Sequence, residues 1–348
     1  MQIGVLTGGG DCGGLNAAIR AVVLRAARAG HGVVGVQDGW AGMVQGRGAP
    51  LTVKDVAGIM GLGGTILGSS RTNPAKIEQG YEKVEANFQT LGIDALVAIG
   101  GDDTLGVAAK LAERGGKVVG VPKTMDNDVN GTDSCIGFQT AVERVTSACD
   151  DLRTTADSHH RILVLEVMGR HAGWVAIEGG MAGGADAILV PEEPSKLDEL
   201  VQRLKQRRAE GYQSSIVVVA EGAEITGLEA DEQNTGQVDA FGHAQLVARA
   251  LGERLADQLG KLTGIESRAM VLGHLQRGGP PAAFDRILGA RLGAAAVDLI
   301  VAGQYGKAPV LRGMQIVPVD LAETVAVNRT ADLDLYHLAD SLTVPVRS

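Results

Sequence analysis

The sequence predicts an α/β fold in which parallel strands alternate with helices. Short apolar segments recur along the chain without polar alternation, which is typical of strands buried on both faces of a sheet. Helical segments or glycine-rich turns follow them, and this alternation indicates parallel sheets wound with helices. The predicted strands are residues 3–7, 32–37, 95–99, 118–121, 162–167, 187–190, 216–220 and 269–272, and the clearest helices are residues 15–29 and 105–114.

Length and composition bound the size of the protein. At 348 residues and 35.9 kDa the chain exceeds the usual size of one hydrophobic core, so we expect one large or two medium domains. Glycine contributes 50 residues without a collagen-like period, so these glycines should lie in turns and close backbone approaches. Residues 223–242 are polar and contain several glycines, and we predict a surface excursion there.

Charge, cysteine usage and hydropathy exclude several classes of protein. A net charge of −9 argues against a nucleic-acid-binding protein driven by overall charge. Cys12, Cys135 and Cys149 are widely spaced and odd in number, so they predict neither a zinc site nor a disulfide framework. The sequence shows no signal-peptide pattern and no apolar stretch near the ~18 residues of a membrane span, and we expect a reduced, cytoplasmic protein.

Residues 8–14 (GGGDCGG) lie between a predicted strand and a predicted helix. Backbone amides at such a helix start can hold a phosphate group. The segment also satisfies the pattern GxGxxG, and Asp38 follows at a distance that suits a ribose-binding acid, so a dinucleotide site is one alternative. Asp11 argues against it, because its carboxylate would stand beside the pyrophosphate. A plain strand-to-helix turn is a further alternative.

Residues 100–104 (GGDDT) again follow a strand and precede a helix. Asp102 and Asp103 are poor direct partners for phosphate. They suit a site in which Mg²⁺ joins carboxylate oxygens to phosphate oxygens. The alternative is that Asp102 or Asp103 serves only as the N-cap of the helix.

Residues 122–128 (PKTMDND) place one cation and two carboxylates directly after a strand. In extended geometry Asp126 and Asp128 would point to the same side. One of them could accept a hydroxyl proton while the other stays charged near metal or substrate, and Lys123 could neutralise phosphate charge. A solvated loop held by Asx turns is the alternative.

Residues 168–174 (MGRHAGW) and 273–279 (GHLQRGG) present Arg and His at glycine-rich strand ends, where α/β proteins bind ligands. Arginine suits sugar phosphates because its guanidinium forms bidentate bonds. His171 or His274 considered alone is expected to be structural. Arg71, at the end of a GSSR segment, could supply another cation for a transferring phosphoryl group. The chain has neither a GxxxxGKS/T P-loop nor the kinase HRD and DFG motifs, which excludes two common solutions to phosphoryl transfer.

Seven segments together resemble the phosphofructokinase family, in family order and over almost the whole chain. They are GGGDCGGLNAAIR, GGTILGSSR, GGDDT, PKTMDND, EVMGRHAGW, AEGA and LGHLQRGGPPAAFDR. The resemblance is to the shorter bacterial members, because the length leaves no room for a duplicated chain. It implies two Rossmann-like, three-layer domains with the active site in the cleft between them. Residues 1–137 and 276–327 would form the phosphoryl-donor domain, and residues 138–275 and 328–348 the fructose 6-phosphate domain.

The resemblance also implies roles for individual residues. Asp126 would take the proton from the C1 hydroxyl of fructose 6-phosphate, and Asp102 would organise Mg²⁺. The donor would be bound by Gly10, Arg71, Asp103, Thr104 and Lys123, and the catalytic set would be Asp126, Arg71, Lys123 and Arg170. The sugar phosphate would be bound by Thr124, Asp126, Asp128, Met168, Gly169, Arg170, Glu221, His274 and Arg277. Arg161 and Arg268 would reach the 6-phosphate of a neighbouring subunit, which implies a homodimer or a homotetramer.

Two positions bear on the phosphoryl donor. ATP-using members commonly have Gly after the metal-organising Asp, whereas this sequence has Asp103, whose carboxylate would crowd and repel the α-phosphate of a nucleotide. At a separation of ~4 Å such repulsion is on the order of 4 kcal/mol at an effective dielectric constant of ~20. Pyrophosphate is shorter, and Lys123 stands where pyrophosphate-using members have Lys. We therefore expect pyrophosphate as the donor of a reversible reaction, with ATP on the same scaffold as the alternative.

Other positions depart from the pattern of the regulated bacterial members. In their effector site this sequence carries Leu24, Glu210, Tyr212 and Ser214, although Arg20 and Arg153 remain. Because a polyanion site with few cations binds weakly, we expect little control by ADP or phosphoenolpyruvate. Trp40 lies where a base-stacking Tyr is often found, and it does not indicate a nucleotide. A nicotinamide-dependent oxidoreductase would explain only the first glycine segment.

Overall fold

The computed structural model describes residues 1–228 and 251–343, and these divide into two compact units. The first unit contains residues 1–140 and 277–329, and the second contains residues 141–228, 251–276 and 330–343. The sequence placed the corresponding divisions after residues 137, 275 and 327. The chain thus passes from one unit to the other more than once, and no linker-like sequence marks the change.

Strands and helices alternate along most of the described chain. The strands are β1 (Gln2–Thr7), β2 (Gly32–Val36), β3 (Gly48–Pro50), β4 (Ala95–Gly100), β5 (Val118–Pro122), β6 (Ile162–Val167), β7 (Ala187–Leu189), β8 (Ser195–Lys196), β9 (Ser215–Ala220), β10 (Ile225–Thr226), β11 (Ser267–Val271), β12 (Lys307–Arg312) and β13 (Gln315–Asp320). The α-helices are α1 (Leu15–Arg28), α2 (Trp40–Gln45), α3 (Gly80–Thr90), α4 (Asp102–Glu113), α5 (Phe138–His159), α6 (Trp174–Ala182), α7 (Leu197–Ala209), α8 (Leu251–Thr263), α9 (Ala283–Val301) and α10 (Leu333–Leu342).

The first unit is built on one sheet with the strand order β13-β12-β5-β4-β1-β2-β3. Its central strands are parallel, and β3 and β13 pair antiparallel at the two edges. Successive side chains of β1 point to opposite faces: Ile3 and Val5 join the core formed with α1 and α9, whereas Leu6 joins the core formed with α3 and α4. Helices therefore cover both faces, which gives the predicted three layers.

The second unit contains a four-stranded parallel sheet with the order β11-β6-β9-β7. Val164 and Val217 belong to the core that this sheet forms with α7 and α8. Helix α6 lies on the other face, where Gly180 approaches the side chains of Ile188 and Val218. The short strands β8 and β10 pair beside this sheet.

The predicted strands are confirmed to within two residues, and the predicted α/β class with parallel sheets is confirmed. The hairpin of β12 and β13 is an addition to the predicted strands, and Gly313 and Met314 form its two-residue turn. Of the predicted surface excursion, residues 223–228 are described and include β10, while residues 229–242 lie outside the described residues.

Cys12, Cys135 and Cys149 are free and buried. Among the helices within residues 1–228 and 251–343, we find none with the length and apolar character needed to cross a membrane.

Candidate active site

The first glycine segment forms a loop, residues 8–14, between β1 and α1, which we call the glycine loop. The Gly8 amide donates to the Ile99 carbonyl at 2.9 Å, and the Gly9 amide donates to the Ser70 carbonyl at 3.0 Å. Gly14 precedes α1 in a left-handed conformation, with φ of 101°, and no side chain caps the helix. The loop is therefore anchored to β4 and to the residues before Arg71, and it leads directly into a helix N-terminus.

The second glycine segment leads into α4, whose first turn contains Asp102 and Asp103. The N-cap residue is Gly101, without a side-chain cap, so the alternative that one of these acids serves as the N-cap is wrong. Thr104 is buried against Gly8 and Gly100, which have no room for a side chain at that contact. The structure thus places Thr104 beneath the glycine loop and leaves both carboxylates partly exposed at the helix start.

Trp40 is an internal contact of the same helix start. Its side chain is buried, and its indole Nε1 donates to the Thr104 carbonyl at 3.3 Å. The indole packs in the core between the sheet and helices α3 and α4. The Trp40 side chain therefore stabilises the first turn of α4.

Lys123, at the end of β5, lies buried below the glycine loop. Its Nζ donates to the carbonyl of Gly8 at 3.0 Å and to that of Gly10 at 2.6 Å. Burial lowers the pKa of Lys123, because the charged ammonium is removed from water. Its two bonds fix the glycine loop to the end of β5, just before the acidic residues Asp126 and Asp128.

Residues 124–128, which we call the acid loop, form a turn. The expectation of extended geometry is wrong, because Asn127 adopts a left-handed conformation with φ of 54°. The Asn127 side chain accepts from the Cys135 amide at 2.9 Å and donates to the Asp133 carbonyl at 3.3 Å, which holds this conformation. The Thr124 hydroxyl accepts from the Asp126 amide at 3.2 Å.

The carboxyl of Asp128 has a strongly raised pKa. Burial, and after it the neighbouring carboxylates of Asp126 and Asp102, raise this pKa from 3.8 to about 7. Its Oδ1 is buried and has no hydrogen-bond partner in the part of the chain that the structure describes. The carboxylates of Asp102 and Asp126 therefore lie near that of Asp128.

Arg71 ends a loop that is bound to the glycine loop. The Thr7 hydroxyl donates to the Gly68 carbonyl at 2.8 Å, and the Ser69 hydroxyl donates to the Gly9 carbonyl at 2.5 Å. The Ser70 hydroxyl donates to the Asp38 carbonyl at 2.7 Å. The exposed Arg71 thereby stands next to the glycine loop.

Arg277 also lies at the glycine loop. Its Nη1 donates to the Asp11 carbonyl at 3.0 Å, and a Cβ added to Gly10 would stand 2.6 Å from the same nitrogen. A side chain at position 10 would therefore displace the Arg277 guanidinium from its present place. The sequence assigned Arg277 to the sugar phosphate, and the structure brings it together with the predicted donor residue Gly10.

Other predicted sugar-phosphate residues gather in the second unit, where three adjacent parallel strands end. Met168, Gly169 and Arg170 follow β6, Glu221 follows β9, and His274 follows β11. The Gly222 amide donates to the Gly169 carbonyl at 3.1 Å, and the Met168 amide donates to Gln276 Oε1 at 3.2 Å, which ties these three strand ends together. This edge is where parallel sheets bind ligands.

Arg161 and Arg268 lie at the opposite end of the same strands. Arg161 directly precedes β6, and Arg268 is the second residue of β11. Both guanidinium groups contact the same oxygen of Glu266 at 2.9 Å. Because β6 has six residues, its two ends are roughly 20 Å apart at ~3.3 Å per residue. These two arginines are therefore separated from Arg170 within one chain.

At the expected effector site, Arg153 belongs to a cluster of charged side chains that pair with one another. Asp186 accepts from Arg153 at 2.9 Å and from Arg207 at 2.5 Å. The Arg207 guanidinium stacks on the Tyr212 ring at 4.8 Å from its centre. The Ser214 hydroxyl binds Asp157. Arg153, the cation that the sequence retains there, is already paired.

Sequence reasoning missed two residues that shape this region. Asn127 had a signal, because it stands between the two acids of PKTMDND, but its hydrogen bonds to residues 133–135 depend on the folded loop. Asp285, in the last motif, accepts from the Gly137 amide at 2.9 Å and from the Thr140 amide at 2.7 Å. It fixes the start of α5, which follows the acid loop.

Comparisons with known proteins identify the family to which the chain is similar. The family model described as Phosphofructokinase matches residues 2–300. The chain is 54% identical over 342 residues to the pyrophosphate–fructose 6-phosphate 1-phosphotransferase of Amycolatopsis methanolica, covering 98% of this chain and 99% of that one. It is 46% identical over 343 residues to the ATP-dependent 6-phosphofructokinase 2 of Streptomyces coelicolor, covering 98% and 100%. Phosphofructokinase from Saccharomyces cerevisiae matches with a TM-score of 0.80 and 32% identity over 93% of this chain and 45% of the yeast chain, so this chain spans less than half of the yeast protein.

Proposed function

The chain belongs to the phosphofructokinase family, and we propose that it transfers a phosphoryl group from pyrophosphate to the C1 hydroxyl of D-fructose 6-phosphate. The products are phosphate and fructose 1,6-bisphosphate. The proposal rests on two features of the site. In the acid loop, the carboxylates of Asp126 and Asp128 lie close enough to repel each other. In the glycine loop, two carbonyls accept hydrogen bonds from the buried Lys123. Because no nucleoside triphosphate is consumed, we expect the reaction to run readily in both directions and to serve glycolysis or gluconeogenesis.

Asp126 is the proposed general base. It takes the proton of the C1 hydroxyl, the sugar oxygen forms a bond to the nearer phosphorus of pyrophosphate, and the bond to the departing phosphate breaks. Burial and the neighbouring carboxylates of Asp126 and Asp102 raise the pKa of Asp128 to about 7. The base role is proposed for Asp126 because its place in the PKTMDND segment is the one that the resemblance to the family matches to the C1 hydroxyl.

Cations and backbone donors would stabilise the charge that develops on the transferring group. Gly10 and Arg71 would contact the phosphoryl group, Lys123 would add a buried positive charge below it, and Arg170 would bind on the sugar side. Little covalent chemistry is required of the protein in such a transfer, so positioning and charge stabilisation provide most of the rate.

Mg²⁺ would be held chiefly by Asp102, together with oxygens of the donor. The described residues contain no group of three or more His, Cys, Asp or Glu side chains arranged to hold a metal alone. This fits Mg²⁺, which in phosphoryl-transfer sites uses one or two carboxylates and completes its coordination with phosphate oxygens and water. When bound, it would neutralise phosphate charge and orient the donor.

Asp103 supports pyrophosphate over ATP. It lies in the first turn of α4, directly after the proposed metal-binding Asp102. A carboxylate there would repel the α-phosphate of ATP. Pyrophosphate has only two phosphate groups and would not extend to that position. ATP remains the second candidate donor, because a relative with 46% identity is named as ATP-dependent.

Initial rates with fructose 6-phosphate and Mg²⁺, measured with pyrophosphate and with ATP, test the donor. We expect pyrophosphate to be preferred by orders of magnitude. Asp103→Gly should improve the use of ATP by at least about tenfold, since half of a repulsion on the order of 4 kcal/mol exceeds a factor of ten. Asp103→Asn is the matched control, because it removes the charge and keeps the volume. Preference of the wild type for ATP, or an unchanged donor ratio in both variants, would contradict the assignment.

We further propose that two copies of the chain share each sugar-phosphate site. Along β6, Arg161 lies roughly 20 Å and Arg268, which pairs with Leu163, roughly 13 Å from the strand end that precedes Arg170, so both lie toward the opposite end of the sheet from Arg170. A second copy related by a two-fold axis would place them at its partner's site, and both sites would be equivalent.

Mixed oligomers test this sharing. Asp126→Asn and Arg268→Ala should each be nearly inactive, while subunit exchange between them should restore about a quarter of the wild-type activity. In the mixed dimer one site carries both changes and the other carries neither, and mixed dimers make up about half of a random mixture. Absence of recovery, with exchange verified by mass, would contradict a shared site.

We also propose a cytoplasmic location. The three cysteines are free and buried, which suits a reducing compartment. Enzyme activity in a secreted or membrane fraction of fractionated cells would contradict it.

A further inference from the structure

Asn16 has a buried side chain whose hydrogen bonds all go to one loop. It lies in the first turn of α1, immediately after the glycine loop, and is 1% exposed. Its Nδ2 donates to the carbonyls of Leu62 and Gly63, each at 3.1 Å, and its Oδ1 accepts from the Ile66 amide at 2.9 Å. A primary amide has two N–H donors and one acceptor oxygen. Both donors and the oxygen of Asn16 bond to residues 62–66.

Residues 62–66 begin the segment that ends at Arg71. Between β3 and residue 74 this segment contains neither a strand nor an α-helix, so its backbone polar groups cannot satisfy one another in a regular pattern. Asn16 provides the missing partners for three of them from a rigid helix start. Asn16 thus supplies three of the hydrogen bonds that hold residues 62–66, in addition to turn bonds such as that from the Leu62 amide to the Ile59 carbonyl.

Thr7 holds the same segment from the other end of the glycine loop. Its hydroxyl lies 2.8 Å from the Thr65 hydroxyl and 2.8 Å from the Gly68 carbonyl. Thr7 directly precedes the glycine loop, and Asn16 follows it two residues after its end. The residues on either side of the glycine loop thus hydrogen-bond to the segment that ends at Arg71. These bonds fix that segment against the glycine loop.

We propose that Asn16 is a positioning residue for phosphoryl transfer. It fixes the loop of Arg71 against the glycine loop, so that the guanidinium and the backbone near Gly10 meet the same phosphoryl group. This inference rests on the proposed function, because it assigns Asn16 an effect through Arg71. Phosphoryl transfer is sensitive to such placement, and an error of ~1 Å can reduce the rate by about 100-fold.

A double-mutant cycle with Arg71 distinguishes positioning from general support. We expect Asn16→Ala to lower kcat by about 10- to 100-fold while the KM for fructose 6-phosphate changes by less than about threefold. In the Arg71→Ala background, Asn16→Ala should lower kcat by less than about threefold, because the group it positions is gone. Asn87→Ala is the matched control: the Asn87 amide also donates to two backbone carbonyls, those of Met43 and Val44, at 2.8 and 3.0 Å. That control should leave kcat within about twofold of the wild type.

Three outcomes would overturn the proposal. Effects of Asn16→Ala and Arg71→Ala that multiply would show that Asn16 acts independently of Arg71. A loss of kcat in Asn87→Ala as large as that in Asn16→Ala would show a general effect of lost loop bonds. An unchanged kcat in Arg71→Ala would refute the role of Arg71 in the proposed function and the role of Asn16 with it, whereas multiplicative effects refute Asn16 alone. If Asn16→Ala does not fold, Asn16→Asp, which keeps the bond from the Ile66 amide, takes its place in the cycle.

Discussion

The acid loop of the first unit and the Asp186 cluster of the second unit are both partly or fully buried and both rich in charge, but their charges are arranged in opposite ways. Asp186 accepts from Arg153 and Arg207 at 2.9 and 2.5 Å, and from the Ile216 amide at 2.8 Å. Asp128 instead faces two further carboxylates, and its Oδ1 has no partner among the described residues.

The difference indicates that the Asp186 carboxylate stabilises the fold, whereas the Asp128 carboxyl belongs to a site that favours chemistry. A buried carboxylate with opposite charges around it is stable only as a pair, and removing one partner leaves the other uncompensated. A buried carboxylate beside other acids has a perturbed proton affinity, which is a hallmark of functional sites. Charge in the sequence does not distinguish the two cases, because Arg153, Asp186 and Arg207 are remote in the chain and meet only in the folded unit.

The largest expected effect is on catalysis at the acid loop. Asp126→Asn should lower kcat by about 1,000-fold or more, because a positioned general base contributes up to about 10⁴-fold and Asn cannot accept the proton. Its thermal unfolding should not be impaired, since one of three opposing acids is neutralised. Steady-state kinetics and a melting curve of the same preparation measure both quantities. Asp55→Asn, at an exposed acid, is the control, and retained activity in Asp126→Asn would remove Asp126 as the base.

The next effect is on stability at the Asp186 cluster. Asp186→Ala should lower the free energy of unfolding by roughly 3–5 kcal/mol, because Arg153 and Arg207 lose their shared partner in a buried position. Denaturant unfolding measures this loss. Asp298→Ala breaks the exposed pair with Arg25, which is 2.6 Å long, and should cost less than about 1 kcal/mol. Equal losses in the two variants would contradict the distinction between the two regions.

A smaller effect is the pH dependence that Asp128 gives to stability. Since its pKa is raised from 3.8 to about 7, the folded protein retains a proton that the unfolded chain has lost between pH 4 and pH 7. The stability of the wild type should therefore fall relative to that of Asp128→Asn as the pH rises through this window, by on the order of 1 kcal/mol per pH unit. Denaturant unfolding of both proteins at several pH values checks this. Parallel pH profiles would show that Asp128 has an ordinary pKa.

The smallest expected effect is that of polyanionic effectors. Arg153 is engaged by Asp186, and Glu210, at the C-terminal end of α7, adds a negative charge to the same region. ADP or phosphoenolpyruvate should accordingly change the rate by less than about twofold, because few cations remain to bind them. Rates measured over a titration with each compound, with calorimetry for binding, test this. Tight binding with a changed rate would show that another set of cations serves as an effector site.

Much of the fold could be predicted because its signals are local. The apolar segments that become β1, β4 and β6 lack polar alternation, and glycine clusters follow them, so parallel strands with turns at one edge could be inferred. The hairpin of β12 and β13 was missed because each of its six-residue strands contains a proline, Pro309 or Pro318, which argues against a strand in the sequence. The pairing of β12 with β5, about 190 residues earlier in the chain, leaves no local pattern either.

The candidate site shows the same limit. The residue types and motifs indicated carboxylates, a buried cation and arginines near phosphate. The turn at Asn127 replaced the expected extended segment, because its side chain finds backbone partners at residues 133–135 only after folding. Likewise Arg277 was assigned by its motif to the sugar phosphate, yet its contact with the Asp11 carbonyl joins segments 266 residues apart.

The sequence by itself determined the class of fold, the membership in the family and the chemical types gathered for phosphoryl transfer, since these depend on residue identity and short spacing. Only the tertiary structure decided which charges oppose and which are paired: Asp128 against Asp126 and Asp102, but Asp186 with Arg153 and Arg207. Only the structure separated Arg161 and Arg268 from the strand ends that hold Arg170, and only it joined Asn16 to the segment of Arg71. The physical reason is that Coulomb interactions and hydrogen bonds depend on distance in space, and that distance is set by the packing of segments remote in the chain.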